Sequence, residues 1–561
     1  MADLTPKGAR ARKMLAAAVA AVAMAGAAGC AGTADGPVTA DAAPVVRIEQ
    51  AAGPREARLP CNRGASPVCD LRIYHVMVSS FRDGAPGVQV RDAWGPGPHT
   101  GDIRGVTLEL DRIRSLGFNA VWLTPVFDSR AGEPQQRADG TTEVELKLDG
   151  TGYFARDYFS VDPQFGTLAD LEELAREARA RGMGLILDGV LGHHKGAAVP
   201  SPSGLVPADS QVAADYRGPI AGYPGVVTDW RQAATRAFYA EMMLYWTRHL
   251  GLTGWRLDQA YQVPADGWAE LEPQVAAASR AAGGTGAMIG EVWGSAEELM
   301  ATFGTNEAPG LSSLFDFPTR YALVQALAGD ESGKRGPFSA INDAWAMGAH
   351  QRYPDHAIPA LMVGNHDLVR FGDLIQRAGL GGQDTEGYWA RHRLMQLFML
   401  AWSGPVTVFY GEEYGAEMPG FARAVRGACW RANRCDDHVA RMLLDLSPSD
   451  SRAQALAGSL NLALRDRIPA LARGARTHLF SDATGYLDLK AAPGSCAVLA
   501  LNSGTTARSF VVAPAALETG GTVDLASARV VSGAGTVVAE DRALRIELGG
   551  LEGAVIELTC S

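Results

Sequence analysis

Eight short apolar runs, separated by stretches with helical spacing, constrain this chain more than any other feature. They fall at residues 73–81, 120–125, 185–191, 254–258, 288–293, 314–317, 360–365 and 406–410. Short apolar runs that alternate with amphipathic helices mark parallel strands joined by crossover helices. Eight is the number that closes a barrel. One connection shows the local logic. Thr167 stands where it can cap a helix, Asp170 completes a capping box, Leu168, Leu171, Leu174 and Ala178 recur at helical spacing, and Gly182 ends the segment before Leu185 opens the next strand. The expected fold is therefore α/β, a (β/α)8 TIM barrel spanning residues 71–475.

Three segments depart from that rhythm. Between His194 and Asp229, five Gly and five Pro leave no room for a helix or a long strand. This predicts a short insertion after strand 3, at 194–229, and with it an open groove. Beyond about Arg476, β-type runs at 496–501, 509–512 and 545–548 are separated by Gly-rich turns, which predicts a C-terminal antiparallel β-sandwich over 476–561. Residues 31–70 are rich in Ala, Gly and Pro with little periodicity and read as a linker.

The N-terminus reads as a targeting segment. Lys7, Arg10, Arg12 and Lys13 precede an apolar run of small residues that ends Ala27-Ala28-Gly29-Cys30. It resembles a bacterial lipoprotein signal peptide over 1–30, in which Cys30 is lipidated; ordinary secretion with cleavage nearby is the alternative. The implied destination is export, with a membrane anchor facing the periplasm or cell surface. With Cys30 set aside, the spacing of the remaining six of seven cysteines suggests Cys61–Cys69, Cys429–Cys435 and Cys496–Cys560. None has histidine company at ligand spacing, so no metal site is expected from them. A net charge of −11 without a basic tract in the mature region leaves no footprint for nucleic acid. The protein is expected to act as a monomer.

Acidic residues recur at the C-terminal ends of the expected strands, the face on which barrel enzymes place their chemistry. Asp188 closes 185–187 and His193 follows; Asp258 ends 254–257; Glu291 ends 288–290; His366 and Asp367 follow Gly364-Asn365. Any one of these could be only a helix cap. Together they resemble the four short regions of the α-amylase family of glycoside hydrolases (family 13), here Asp188-Gly189-Val190-Leu191-Gly192-His193, Gly254-Trp255-Arg256-Leu257-Asp258, Glu291-Val292-Trp293 and Asn365-His366-Asp367. The likeness extends through Val121-Trp122-Leu123-Thr124-Pro125, Gly152-Tyr153 and Tyr410-Gly411-Glu412-Glu413, over roughly 71–475.

Position by position, the resemblance implies Asp258 as nucleophile, Glu291 as general acid/base and Asp367 as transition-state stabiliser. Tyr153, Asp188, His193, Arg256 and His366 are then implied to bind substrate. The chemistry needs one ionised and one protonated carboxyl, about 5–5.5 Å apart. Arg256, two residues before Asp258 on one strand, shares its face and can keep it ionised. Tyr153 can either stack on a sugar or fill the core, and Trp293 is equally open.

Two departures from the family's pattern bear on metal and leaving-group binding. Many relatives carry an Asn before the histidine of the first region, where it helps hold a structural calcium; here the position is Gly192, which offers no side-chain oxygen to a hard cation. The family's Lys-His pair after the nucleophile is replaced by Tyr261-Gln262. The expectation is that no cofactor is required, with calcium left open only at a non-standard site. The implied activity is retaining hydrolysis of starch-like α-1,4-glucans or maltooligosaccharides. Transglycosylation, hydrolysis of a small α-glucoside, or glucan binding without catalysis are the alternatives.

Overall fold

Strands buried on both faces are written as nearly unbroken apolar runs, and the eight runs become the eight strands of a closed parallel barrel. In a computed structural model the described residues are 44–64, 66–85, 93–130, 147–212, 225–344, 349–421, 438–518, 521–540 and 542–561. The barrel strands are β1 (Arg72–Val76), β2 (Ala120–Leu123), β3 (Gly184–Val190), β4 (Gly254–Asp258), β5 (Ala287–Gly290), β6 (Ser313–Phe315), β7 (Ile358–Met362) and β8 (Val406–Phe409). Each pairs with its sequence neighbour, and β8 closes on β1 through Val406–Arg72 and Phe409–His75. The barrel interior is filled by Ile73, Trp122, Ile186, Ile289, Phe315, Ala360 and Met362.

The helix Leu168–Ala180 carries the expected capping box between Thr167 and Asp170. Its buried face is Leu171, Leu174, Ala175 and Ala178. Leu168, at the first turn, points to solvent instead of joining the apolar stripe.

The linker reading of 31–70 fails from Pro44 onward. Val45–Ile48 is a strand that pairs in parallel with Arg508–Val512, and Arg55–Glu56 pairs with Ala475–Ser481. Residues 61–70 form two short 3-10 helices tied by the Cys61–Cys69 disulfide. Composition hid this because Val45-Val46-Arg47-Ile48 is too short to shift the average of an Ala-, Gly- and Pro-rich stretch, while edge pairing stabilises it. Cys30 and the rest of 1–43, and the expected Cys429–Cys435 pair, lie outside the described residues. Among the described residues, no helix is long and apolar enough to cross a membrane.

The C-terminal module is a sandwich of a six-stranded and a four-stranded sheet, antiparallel except where Val45–Ile48 joins. A separate core including Phe510, Leu544, Ile546 and Ile556 lies between the sheets. Cys496 and Cys560 are bonded within this module. Ala475–Ser481 and Gly485–Ala492 come first, and the bond links the neighbouring strands Ser495–Asn502 and Glu552–Cys560.

After β3, His193–Lys195 and Gly225–Val227 pair as a small two-stranded antiparallel sheet. A second wall, not foreseen in the sequence, comes from the β2 connection, where Phe127–Asp128 pairs with Asp157–Val161. The two segments are fastened together. Tyr158 donates to the His193 carbonyl at 2.9 Å, and Lys195 holds both oxygens of the buried Asp149 carboxylate at 2.8 and 2.9 Å.

Candidate active site

The C-terminal ends of β3, β4, β5 and β7 bring Asp188, Arg256, Asp258, Glu291, His366 and Asp367 to one end of the barrel. At the rim of β4, Gln259 takes a left-handed conformation (φ 39°) that a non-glycine residue rarely adopts. The turn lets the Ala260 amide donate to the Glu291 carbonyl at 2.8 Å, while the Glu291 amide donates to the Leu257 carbonyl at 2.8 Å. The Asp258 and Glu291 backbones are thereby locked to each other. At the end of β7, Asn365 Oδ1 accepts from the amides of Asp367 and Leu368 at 2.8 and 3.0 Å, which turns the chain and aims Asp367.

One guanidinium organises the cluster. Arg256 Nη1 donates to both oxygens of Asp188 at 2.9 and 2.8 Å and to Asp258 Oδ1 at 3.0 Å, and its Nη2 donates to Glu291 Oε2. Asp188 also accepts from the Tyr153 hydroxyl at 2.8 Å and from Trp122 Nε1 at 3.2 Å. Tyr153 thus packs with Leu148, Phe154 and Val190 while its hydroxyl reaches the carboxylate cluster, and its ring stacks on His366 at 5.0 Å.

These contacts set the charges. Burial raises Glu291 to about 8 and Asp258 to about 7; Arg256 opposes the rise in both, and Asp367 adds to it in both. Asp188 rises to about 6 by burial, against the same arginine. Glu291 is the carboxyl that holds its proton most firmly. Asp367 goes the other way. Burial raises it, but His366, Arg441 and His438 together hold it well below the usual carboxylate range. Burial lowers His366 strongly and His438 to about 4, so at neutral pH both rings are uncharged. The lasting cation on Asp367 is Arg441, whose Nη2 lies 2.5 Å from Asp367 Oδ1.

A cleft of about 850 Å³ opens above these groups, of the size that small-molecule sites usually have. Tyr153, His193, Asp258, Glu291, His366 and Asp367 line it. Asp188 and Arg256 are not among the lining residues; they lie beneath the floor. Trp293 stands on the cleft wall, 43% exposed, stacked on Phe317 and donating to the Tyr321 hydroxyl at 2.7 Å. Tyr261 lines the same cleft and is also exposed.

The family profile described as "Alpha amylase, catalytic domain" matches residues 75–199 and 228–442, which hold every group above. The chain belongs to the α-amylase family. Among solved structures, AmyP in complex with maltose is 34% identical, with a TM-score of 0.77 over 89% of this chain and 97% of that one. An α-amylase from Geobacillus thermoleovorans, complexed with acarbose, shares the fold at 22% identity and a TM-score of 0.67, covering 88% of this chain and 98% of that one. The cyclomaltodextrinase of Thermoanaerobacter pseudethanolicus is 24% identical over 62% of this chain and 57% of its own length. An intracellular maltogenic amylase of Bacillus subtilis is 23% identical over 61% and 55%. The chain thus spans a little over half the length of these curated relatives.

At the family's usual calcium position Gly192 offers no side-chain oxygen. A side chain built at Gly192 would run into the side chain of Gln262, whose Oε1 lies 3.2 Å from His193 Nδ1. Among the described residues no group of three or more His, Cys, Asp or Glu is arranged to hold a metal. The amide of Gln262 therefore occupies the space an Asn at 192 would need.

Sequence reasoning missed four participants. Arg441 and His438, with Trp94, line the cleft at the Asp367 end, and His75 lies under His366. His75 lies inside the apolar run 73–81, where nothing in the sequence separates it from a strand residue. Arg441 and His438 follow a stretch with no periodicity and carry no local signal.

Proposed function

We propose that this protein hydrolyses α-1,4-glucosidic bonds in starch-like glucans or maltooligosaccharides by a retaining double displacement. The observation that carries this reading is the single Arg256 guanidinium that touches both Asp258 and Glu291 at the floor of the cleft. A fork touching both carboxyls places them on one cation, which supports the paired action of a retaining enzyme, where about 5–5.5 Å separates the groups. In the proposed reaction the Asp258 carboxylate attacks the anomeric carbon while Glu291 gives its proton to the departing glycosidic oxygen. The resulting glycosyl ester is cleaved by water, whose proton returns to the Glu291 carboxylate. Asp367 faces the positive charge that develops on the ring. Asp188 and Arg256 act from beneath, fixing Asp258, Glu291 and Tyr153, while His193, His366 and Tyr153 hold the sugar.

The complexes of AmyP with maltose and maltotriose, and the names cyclomaltodextrinase and maltogenic amylase among the relatives, support a glucan substrate. Transfer to a second sugar is the other reading, favoured by the exposed Trp293 and Tyr261, which offer an acceptor flat apolar faces. The protein is proposed to work as an exported monomer held to a membrane by lipid on Cys30, and to need no calcium beside Gly192. Incubation with starch, pullulan, maltooligosaccharides, sucrose and trehalose, with products resolved over time, separates hydrolysis from transfer. Proton NMR in early turnover tests the mechanism. The α-anomer is expected first, and β-anomer as the initial product refutes it.

A further inference from the structure

We propose that His75, which no sequence motif marks, is a positioning residue that fixes which nitrogen of His366 carries the proton. The inference rests on the reading of the site given above, in which His366 presents a donor to the sugar side of the cleft.

His75 is on β1 and fully buried. Its ring lies flat on Trp122, with centroids 3.5 Å apart and planes 8° from parallel, and Phe409 leans on it at 4.8 Å. Trp122 is fixed in turn by its bond to Asp188. The His75 ring is therefore clamped with Nε2 aimed at His366 Nδ1, 3.3 Å away. On the other side of His366, Nε2 lies 3.2 Å from Asp367 Oδ2.

A neutral imidazole has one donor and one acceptor. Burial, with Arg256 and Arg441 nearby, keeps both histidines uncharged, so the pair has one consistent arrangement. An unprotonated His366 Nε2 would set its lone pair against the ionised Asp367 carboxylate. Nε2 therefore carries the proton, Nδ1 is an acceptor, and His75 Nε2–H is the donor that meets it. The rest of His75 agrees. Its Nδ1 is buried with no hydrogen-bond partner among the described residues, and an empty lone pair there costs less than a stranded N–H. The donors then point in one direction, from His75 to His366 and from His366 Nε2 toward Asp367 Oδ2, 3.2 Å away, and the sugar side of the cleft. Reversing the first bond would turn the last group from donor to acceptor.

The test uses the full chain. Selective ¹⁵N-histidine labelling, with the His366 signal assigned by its loss in His366→Asn, reports which ring nitrogen is protonated in the empty enzyme. The expected result is Nε2–H; a proton on Nδ1 overturns the proposal. In parallel, His75→Phe keeps ring size and stacking but removes the donor. It should lower kcat on maltooligosaccharides about tenfold to a hundredfold, by analogy with the loss seen when the partner that orients a metal-bound histidine is removed, with little change in KM. His75→Gln returns a donor and should recover activity to within a few-fold. A folded His75→Phe with wild-type kcat overturns the proposal. If His75→Phe does not fold, the wild-type tautomer decides alone. Asp258→Ala serves as the control for the underlying reading. Turnover retained in Asp258→Ala would remove the assigned chemistry, whereas a dead Asp258→Ala beside an unaffected His75→Phe removes only the role of His75.

Discussion

Glu291→Gln should stabilise the empty enzyme at neutral pH relative to its stability gap in acid. In the folded site Glu291 keeps its proton up to about pH 8, mainly because it is buried, whereas in the unfolded chain it releases it near 4.5. Folding therefore takes up a proton between those values. Stability tied to this group is fully present below about pH 4.5 and is lost as pH rises toward 8. At pH 7 the mismatch is about 2.5 pH units, which corresponds to about 3 kcal/mol. Glutamine cannot ionise and escapes this loss. It brings a separate, pH-independent cost, because Glu291 Oε1 has no hydrogen-bond partner among the described residues and an amide N–H there stays unpaired, about 1–3 kcal/mol. The discriminating quantity is the change in the stability difference with pH. Urea unfolding followed by tryptophan fluorescence at pH 4.5, 5.5, 6.5 and 7.5 should show the variant gaining on the wild type by about 3 kcal/mol across the range. Asp258 and Glu291 share the effect through Arg256, so the slope belongs to the pair, and Asp258→Asn should show it too. Parallel curves for wild type and both variants would mean that the carboxyls ionise as they do in water, and the acid/base reading would lose its physical basis.

Asp258→Ala should abolish turnover with the fold intact, while Glu291→Gln should still form a glycosyl-enzyme from substrates whose leaving group needs no proton; mass spectrometry of the trapped ester distinguishes the two. Activity lost on chelation and restored by calcium, with an ion bound beside Gly192 in a crystal structure, would refute the reading that the family's usual site needs no calcium, where Gly192 offers no side-chain oxygen. Gly192→Asn should destabilise the protein by about 1–3 kcal/mol in thermal unfolding because its side chain meets Gln262, and adding Gln262→Ala should relieve much of that loss. Cys30→Ser should move the protein from the membrane fraction to the soluble one, and a wild-type protein recovered soluble without lipid mass would count against the anchor.

The barrel was legible because its strands are buried on both faces and so are written as continuous apolar runs that no surface requirement interrupts. The strand Val45–Ile48 was not legible, since its only support is pairing with Arg508–Val512, more than four hundred residues away in the chain. The acidic residues of the site could be read from their places at strand ends. Their depth could not. Asp188 and Arg256 carry motif positions like those of Asp258 and Glu291, yet only their packing, with Trp122 and Tyr153 both bonded to Asp188 and Tyr153 at the cleft wall, shows that they lie below the cleft floor. Arg441 shows the same limit from the other side. It reaches Asp367 because the segment 440–442 is strapped to the barrel by Arg370, which bonds the Ala440 carbonyl at 2.9 Å, and by the Tyr410 hydroxyl, which bonds the Met442 carbonyl at 2.6 Å. No local pattern encodes such a strap.

The charges at the cleft explain why two arginines and one firmly protonated carboxyl occur together. Asp188, Asp258, Glu291 and Asp367 face the permanent cations Arg256 and Arg441, while His75, His193, His366 and His438 are all pushed toward the neutral form, chiefly by burial. With Glu291 protonated and the other three carboxyls ionised, the cluster carries a net charge of −1. A glycosyl centre that gains one positive charge would neutralise it. Burial keeps Asp258 as high as about 7 in the empty site, against the pull of Arg256, and the repulsion of its anion by Asp188 and Asp367 adds to the rise. Positive charge developing on the sugar favours that anion as Asp258 attacks, whereas a second proton in the cluster opposes both. An additional cation beside Asp367 would upset this balance as surely as the loss of Arg441. The neutrality of His366 is therefore part of the electrostatics of the site, and the bond from His75 is what allows a neutral ring to present a donor where a charged one would otherwise be needed.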